Sequence, residues 1–354
     1  MRDLKILHTA GLGLAAPLPG LPAAIGQLRR RDAMQTLARL ADYCRREQTD
    51  LFIISGDLWQ QEYVTRPLAD FVADQFRKIP ATKVLIAPGP LDDDGGRGFY
   101  ARYPWPGNVH ILAETSLVLP DFPLRVQGVS WKEQEGPRNW RTLASGGPDE
   151  MVLIVAYGTP ESLNIPPWLV NQSNLAYIAL GGQPNRTKWG EKMADPGFPE
   201  PRSFSFSGPF GVLAGTIGAA NALDFIPFSS RRFIPLRLNL EGCPSLKEAA
   251  ARIERELAPH DLERDLCELT LWGPRPPGEW NRRALEESVK GVYIRLVDET
   301  GPSYDLEALA IEHNRGILGK YIAWVKESGP EEKSAERALA FGVDALLTGR
   351  VAPW

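Results

Sequence analysis

Histidine is scarce in this 354-residue chain, with four in all: His8, His110, His260 and His313. A centre holding two divalent ions needs several imidazoles converging with carboxylates, and these four are too few and too scattered to supply them. Cysteine is scarcer still. Cys44, Cys243 and Cys267 form no close pair, which excludes a metal knuckle or a disulfide framework and leaves three small buried hydrophobes of a reducing compartment. Long apolar runs are missing too; the longest are strand-length, so no membrane span is expected. The opening Met1-Arg2-Asp3-Leu4-Lys5 enters an apolar stretch without a signal-peptide core, and a cytoplasmic location is expected. A strong charge of one sign is also absent. The 40 Lys and Arg against 44 Asp and Glu leave −4, so no global basic field draws nucleic acid by counterion release.

What is present is a folded α/β chain. Hydrophobic residues at 43% and charged residues at 24% suit a soluble globular protein long enough for about two domains. Leu4 to Ala10 reads as a buried strand, followed by a loop holding Pro17, Pro19, Gly20 and Pro22. Asp32 is placed to cap a helix whose apolar stripe is Met34, Leu37, Leu40, Ala41 and Cys44. Strand 51–55 ends at Gly56-Asp57, a second helix carries Leu68, Phe71, Val72 and Phe76, and strand 83–87 follows. Apolar strands alternating with amphipathic helices argue for a sheet covered on its faces. Strands near 109–112, 116–119, 124–129 and 151–156 come with fewer helices and suggest a mixed sandwich. Composition shifts after Phe233 to Leu238. A helix at 246–257, a strand at 267–271, a breaker-rich turn at 272–278 and a strand at 292–296 precede three helical segments near 305–313, 316–327 and 331–347. The expected boundaries are a main domain at 1–239, a small α/β cap at 240–300 and a helical tail at 301–354. No internal repeat is evident.

Gly11-Leu12-Gly13-Leu14-Ala15-Ala16 satisfies the dinucleotide fingerprint Gly-x-Gly-x-x-Ala. That motif works only where a helix starts and aims its amino terminus at a pyrophosphate. Pro17, Pro19 and Pro22 forbid an uninterrupted helix there. A different pattern recurs instead: five apolar strands, each ending in a short loop motif. They end at Gly11-Leu12-Gly13, Ser55-Gly56-Asp57, Gly89-Pro90-Leu91-Asp92, Tyr157-Gly158 and Gly181-Gly182-Gln183-Pro184.

In order and spacing, these five strand ends resemble the metal-binding motifs of calcineurin-like metallophosphoesterases, and most of the chemistry is gone. The resemblance implies Asp and His at positions held by Gly11 and Gly13. It implies a metal-binding Asn at Pro90, a catalytic His at Leu91, and ligand histidines at Tyr157, Gly182 and Pro184. Of the ligand set, Asp57 survives. Glycine has no side chain with which to hold a metal. Within the superfamily the chain is most similar to the DNA-repair exonucleases related to SbcD, in particular the YhaO-like group. That likeness rests on Pro17 to Leu21, on Pro201-Arg202-Ser203-Phe204 with Gly208 and Gly211, and on Tyr304 to Leu309. It implies a four-layer α/β/β/α sandwich with a C-terminal cap and tail.

The expected function is that of a non-catalytic homologue of an exonuclease subunit, scaffolding or regulating an SMC-like coiled-coil ATPase and meeting DNA through that complex. One alternative is a phosphodiesterase with a residual Mn or Mg site of oxygen ligands around Asp57, joined by Asp92, Asp93 or Asp94. Another is a homo-oligomeric structural protein such as a homodimer. No cofactor is expected on the leading reading. Tyr157 is expected to fill the vacated metal cavity, because a phenol of pKa near 10 needs an activating base to act as a nucleophile. Arg29-Arg30-Arg31, Arg231-Arg232 and the tryptophans at 105, 131, 140, 168 and 189 would form a single-strand groove if they converged. The resemblance places the partner interface beyond about residue 301, on a stripe of Ile317, Leu318, Tyr321, Ile322 and Val325. A second stripe of Ala335, Ala338, Leu339 and Leu346 follows the Gly329-Pro330 link, and packing of both stripes on the chain's own core is the competing expectation.

Overall fold

Mostly apolar runs of five to seven residues become eight of the twelve strands of two six-stranded sheets, and the other four strands are two to four residues long. The computed structural model describes residues 3–93, 95–113, 115–119, 121–129, 131, 138–147, 150–218, 220–275, 280–327 and 332–349, with 332–338 described by backbone alone. The chain divides into two compact units, 1–231 and 232–354. In chain order the first unit contains β1 (Leu4–Thr9), α1 (Ala23–Glu47), β2 (Leu51–Ser55), α2 (Arg66–Arg77), β3 (Lys83–Ala87), α3 (Phe99–Arg102) and β4 (Val109–Ile111). It continues with β5 (Ser116–Leu119), β6 (Leu124–Val129), α4 (Trp140–Leu143), β7 (Met151–Tyr157), β8 (Leu175–Gly181), β9 (Thr187–Lys188) and β10 (Met193–Asp195). The strands β11 (Gly211–Ile217) and β12 (Ala222–Pro227) complete it.

The first sheet has the order β12-β11-β1-β2-β3-β4, and the second β5-β6-β7-β8-β10-β9. Strands β1 to β4 are mutually parallel, whereas β11 closes on β1 antiparallel, Leu4 opposite Ile217 and His8 opposite Leu213. Parallel strands buried on both faces read as continuous apolar runs, and all five residues of β2 are buried. Ile6, Leu51, Ile53 and Leu85 of the first sheet pack against Val126, Leu153, Val155 and Ala179 of the second. Each of these Ile, Leu and Val side chains, fully buried, contributes about 1.5–3 kcal/mol. The opposite face of the first sheet is covered by α1 and α2 through Leu37, Leu40, Cys44, Val72 and Phe76. The outer face of the second carries Trp140, Leu163 and Leu169. The result is an α/β sandwich, thin on its second outer layer, where α4 spans four residues.

The helix expected to start at Asp32 starts nine residues earlier, at Ala23 behind Pro22. Proline with φ near −60° just before a helix is pre-set for its first turn. Asp32 is then an interior, buried residue, held by Arg29 at 2.7 Å and Arg231 at 2.9 Å. Glu200 joins the same network through Arg29 at 2.8 Å and the Thr36 hydroxyl at 2.6 Å. Buried carboxylates persist where such partners satisfy them.

The second unit contains β13 (Phe233–Asn239), α5 (Leu246–Leu257), β14 (Leu266–Arg275), α6 (Arg282–Ser288), β15 (Tyr293–Pro302), α7 (Leu306–Glu312), α8 (Ile317–Glu327) and α9 (Glu332–Thr348). Its three strands form a parallel sheet in the order β13-β14-β15. The boundary expected at 239/240 therefore falls at 231/232. Phe233 to Asn239 is the first strand of this sheet, because Phe233 pairs Leu266 and Asn239 pairs Trp272. The cap and tail expected as 240–300 and 301–354 are parts of one unit, with the Tyr304 hydroxyl donating to Asp344 on α9. The turn expected at 272–278 is strand as far as Arg275; residues 276–279 lie outside the described residues. Pro274 is tolerated because β13 stops opposite Trp272, leaving that side of β14 without a ladder partner.

The α8 stripe turns inward. Leu318, Ile322 and Val325 are buried with Leu339 and Val343 of α9, and Tyr321 packs against them. These candidate partner contacts serve this unit's own core, while Ile317, at 76% exposed, faces away from it. In the second stripe Leu346 is exposed; the side chains of Ala335 and Ala338 and the link at Gly329-Pro330 lie outside the described residues. Among the described residues no helix is long and apolar enough to cross a membrane.

Candidate functional site

The carboxyl ends of β1, β2, β3, β7 and β8 meet, and the five eroded motifs meet with them. Beyond β1 the chain runs on beside the segment after β2: the Gly11, Gly13 and Leu14 amides donate to the carbonyls of Gly56, Asp57 and Leu58 at 2.8–2.9 Å. Gly11 and Gly13 adopt left-handed φ of +59° and +55°, a region that penalises L side chains. A side chain there would also have to displace a neighbour. A Cβ on Gly11 would collide with the Phe198 ring, and one on Gly13 with the Arg202 guanidinium. That guanidinium donates to the Gly11 carbonyl and lies 4.6 Å from the Phe198 ring centroid. Burial lowers its pKa, and Asp57 and Tyr157 oppose that shift.

Tyr157 fills the other half of the space. Its ring lies against Gly56, Gly89 and Gly182, and a Cβ on Gly182 would come within 2.9 Å of it. Its phenol is pushed far above the ordinary range, by burial first and then by the Asp57 charge. That phenol stays protonated, because the Asp57 carboxylate beside it is far too weak a base to take its proton. Pro184 contributes a carbonyl, which accepts the Phe198 amide at 3.0 Å.

Asp57 follows Gly56 in a pair of left-handed residues, φ +86° and +53°. It is buried, and its Oδ1 accepts the Leu91 amide at 3.0 Å. Burial raises its pKa, while the Leu91 N–H, the Arg202 charge and the Tyr157 hydroxyl pull it back. Asp92 is fully buried and accepts from Leu58 N–H at 2.7 Å, Gly89 N–H at 2.5 Å and the Tyr100 hydroxyl at 2.7 Å. Burial and the Asp57 charge push it up to about 7. Both Asp92 oxygens therefore fasten loops. Asp93 accepts the Gly95 amide at 2.9 Å in a local turn, and Asp94 lies outside the described residues. Pro90 is exposed, and Leu91 contributes its backbone.

A dinuclear metal centre does not fit these residues. Among the described residues no group of three or more His, Cys, Asp and Glu side chains could hold a metal ion. Asp57 keeps a carboxylate, but a fixed guanidinium is its charged neighbour. His8 is buried within β1 and serves the fold. Ser55 Oγ donates to the Ala179 carbonyl at 3.3 Å, so His8 Nε2 carries the proton toward Ser55 Oγ at 2.7 Å and Nδ1 accepts from Tyr177 at 3.0 Å. Burial lowers the His8 pKa to about 3.

Arg202, Phe198 and Asp195 are the site residues that motif reading missed as such. Asp195 is buried, accepts the Gln183 and Gly197 amides at 2.9 and 2.8 Å, and is pushed by burial up to about 7. The turn sequence Asp195-Pro196-Gly197 was the available signal for it; nothing local marks Arg202 or Phe198. Several of the basic and aromatic groups weighed as a single-strand groove are engaged elsewhere in the first unit. Arg29 and Arg231 are ion-paired with Asp32. Trp105 packs on the helix-covered face of the first sheet, while Trp140, Trp168 and Trp189 pack on the outer face of the second.

With this geometry in hand, comparisons with known proteins give the following. No family model matches the chain. It is similar to the uncharacterized metallophosphoesterase YhaO of Bacillus subtilis (strain 168), 27% identical over 118 residues, which are 32% of this chain and 28% of that protein. Among solved structures it is similar to TT1561 of Thermus thermophilus, with 13% identity and a TM-score of 0.35, over 56% of this chain and 90% of that one. It is also similar to the nuclease MPE of Pseudomonas putida, with 18% identity and a TM-score of 0.25, over 43% and 60% of the two chains. A dimetal phosphatase from Danio rerio gives 12% identity and a TM-score of 0.33, over 64% and 99%. The sequence relative YhaO, a metallophosphoesterase, is covered over 28% of its length.

Proposed function

We propose that this chain is a non-catalytic homologue of a DNA-repair exonuclease subunit, acting as scaffold or regulator of an SMC-like ATPase. The observation that carries the non-catalytic half is the filling of the site: Arg202, Tyr157 and Phe198 take the room against Gly11, Gly13, Gly56 and Gly182. A metal pair activates water as well as neutralising phosphate. A guanidinium offers a permanent charge and hydrogen-bond donors but no acidified water. The local chemistry can attract a phosphoester and has no means of hydrolysing it. The ATPase half rests on the sequence likeness to the SbcD and YhaO group.

The test is cleavage of DNA and of bis-p-nitrophenyl phosphate with Mn²⁺, alongside Asp57→Asn. Asparagine is the right replacement because it tolerates the left-handed φ that Asp57 holds. We expect no Mn²⁺-dependent turnover, and a thermal midpoint unmoved by Mn²⁺ or EDTA. Turnover abolished by Asp57→Asn would establish a residual metal site and refute the non-catalytic reading. Co-purification with a coiled-coil ATPase encoded beside the gene tests the scaffold half.

A further inference from the structure

A cleft of about 480 Å³ opens beside the loop after β1, between α1 and the segment leading into α2. Its apolar wall is Met34, the Tyr63 ring, Pro67 and Leu68, and Tyr63 is 50% exposed. Its polar lining is Gln27, Arg30, Arg31 and Thr65. No carboxylate is among these lining residues, although acidic side chains outnumber basic ones in the chain, 44 to 40. Arg29, the third member of the Arg29-Arg30-Arg31 run, is tied to Asp32 and Glu200. Among the described residues Arg30 and Arg31 make neither an ion pair nor a side-chain hydrogen bond. Two uncompensated guanidiniums on a cleft of ligand size are an anion site awaiting its anion. The cleft of about 630 Å³ in the second unit differs in this respect: Glu299 is the one charged side chain among its described lining residues.

We infer that this cleft binds a small phosphorylated ligand with a flat ring, of the nucleotide class. The fork of Arg30 and Arg31 matches phosphate oxygens, the Tyr63 face supplies a stacking platform for a base, and Gln27 and Thr65 offer hydrogen bonds to the ring or sugar. Arg30 also lines the narrow recess that contains Gly13 and Arg202. The phosphate end of the ligand therefore lies toward the eroded site and the ring toward Tyr63.

Calorimetric titration of the full chain with AMP as probe, in EDTA, tests this assignment. AMP should bind, adenosine at least about tenfold more weakly, and Arg30→Gln and Arg31→Gln should each weaken AMP by about tenfold, as loss of a charge-assisted hydrogen bond requires. Tyr63→Ala should weaken it severalfold, while Tyr63→Phe, which keeps the ring face, should not. Unchanged thermal midpoints would certify the folding of these surface variants. A 5′-phosphorylated oligothymidine that binds more tightly than AMP identifies the ligand as a strand terminus; one that binds equally or less identifies a free nucleotide. No AMP binding at millimolar concentration overturns the assignment. So does equal binding of adenosine, or binding undiminished in both arginine variants. Because EDTA is present, residual phosphodiesterase activity would not affect this result, and failure here would leave the non-catalytic reading standing.

Discussion

Replacing Gly11 by alanine should destabilise the first unit far more than a surface glycine change would. At φ +59° the new residue pays for a left-handed backbone, about 1–2 kcal/mol. The smaller conformational freedom of its unfolded chain offsets about 0.4–1 kcal/mol of that. Its Cβ then meets the Phe198 ring, which is itself buried beneath Arg202 and edge-on to Phe206 at 6.2 Å. Displacing a packed ring costs about 1–3 kcal/mol. The net expectation is about 1–5 kcal/mol, centred near 3, read as a lower urea midpoint with an unchanged slope in tryptophan fluorescence. Ala15→Gly is the matched control: Ala15 already sits at φ +61°, so glycine there relieves strain and should leave stability equal or slightly higher. A Gly11→Ala variant within about 0.5 kcal/mol of the parent, the range of ordinary surface substitutions, would refute the claim that Phe198 and Arg202 fill this space rigidly.

Three further outcomes follow from buried groups. His8 titrates near 3 in the fold and near 6.5 unfolded, so the unfolded chain binds the extra proton between those values and stability falls as pH drops through that window. The loss is about 3 kcal/mol by pH 4, and His8→Gln should remove it from the urea midpoint; Asp92 and Asp195, raised in the fold, act in the opposite sense and cancel in the comparison. Ile322→Ala should cost about 2–5 kcal/mol because Ile322 is 1% exposed, whereas Ile317→Ala, at 76%, should be silent in the same thermal melt. Tyr157→Ala should open a cavity against Gly56, Gly89 and Gly182 and, because Tyr157 is half-buried, cost less than the about 3–5 kcal/mol of a fully buried ring; an unchanged melting curve would mean the ring does not fill the site.

The strands of the main sheets were legible because parallel strands covered on both faces must be apolar throughout. The run Leu51-Phe52-Ile53-Ile54 can be little else. The loss of the metal ligands was legible too, since it depends on residue identity at strand ends. The replacement for them was not. Arg202 reaches Gly11 across 191 residues, and no local periodicity encodes a contact of that span. The strand at 233–239 was legible as a strand, but hydrophobic alternation does not say which sheet receives it. Parallel pairing with Leu266 to Trp272 decided that. The start of α1 was misplaced for a related reason: Asp32 looks like a cap until Arg29 and Arg231 are seen to neutralise it within the helix.

The pairing of β1 with β11 has a consequence for biosynthesis. Leu4 finds its antiparallel neighbour in Ile217, so one edge of β1 waits for more than two hundred residues to leave the ribosome. At about 5–20 residues per second that interval is roughly 10–40 s. Throughout it, that edge of β1 is an unpaired ladder of a largely apolar strand, the state in which nascent chains recruit holdases or pair with one another. Slowed translation before residue 217 should therefore lower the soluble yield, and pausing after it should not.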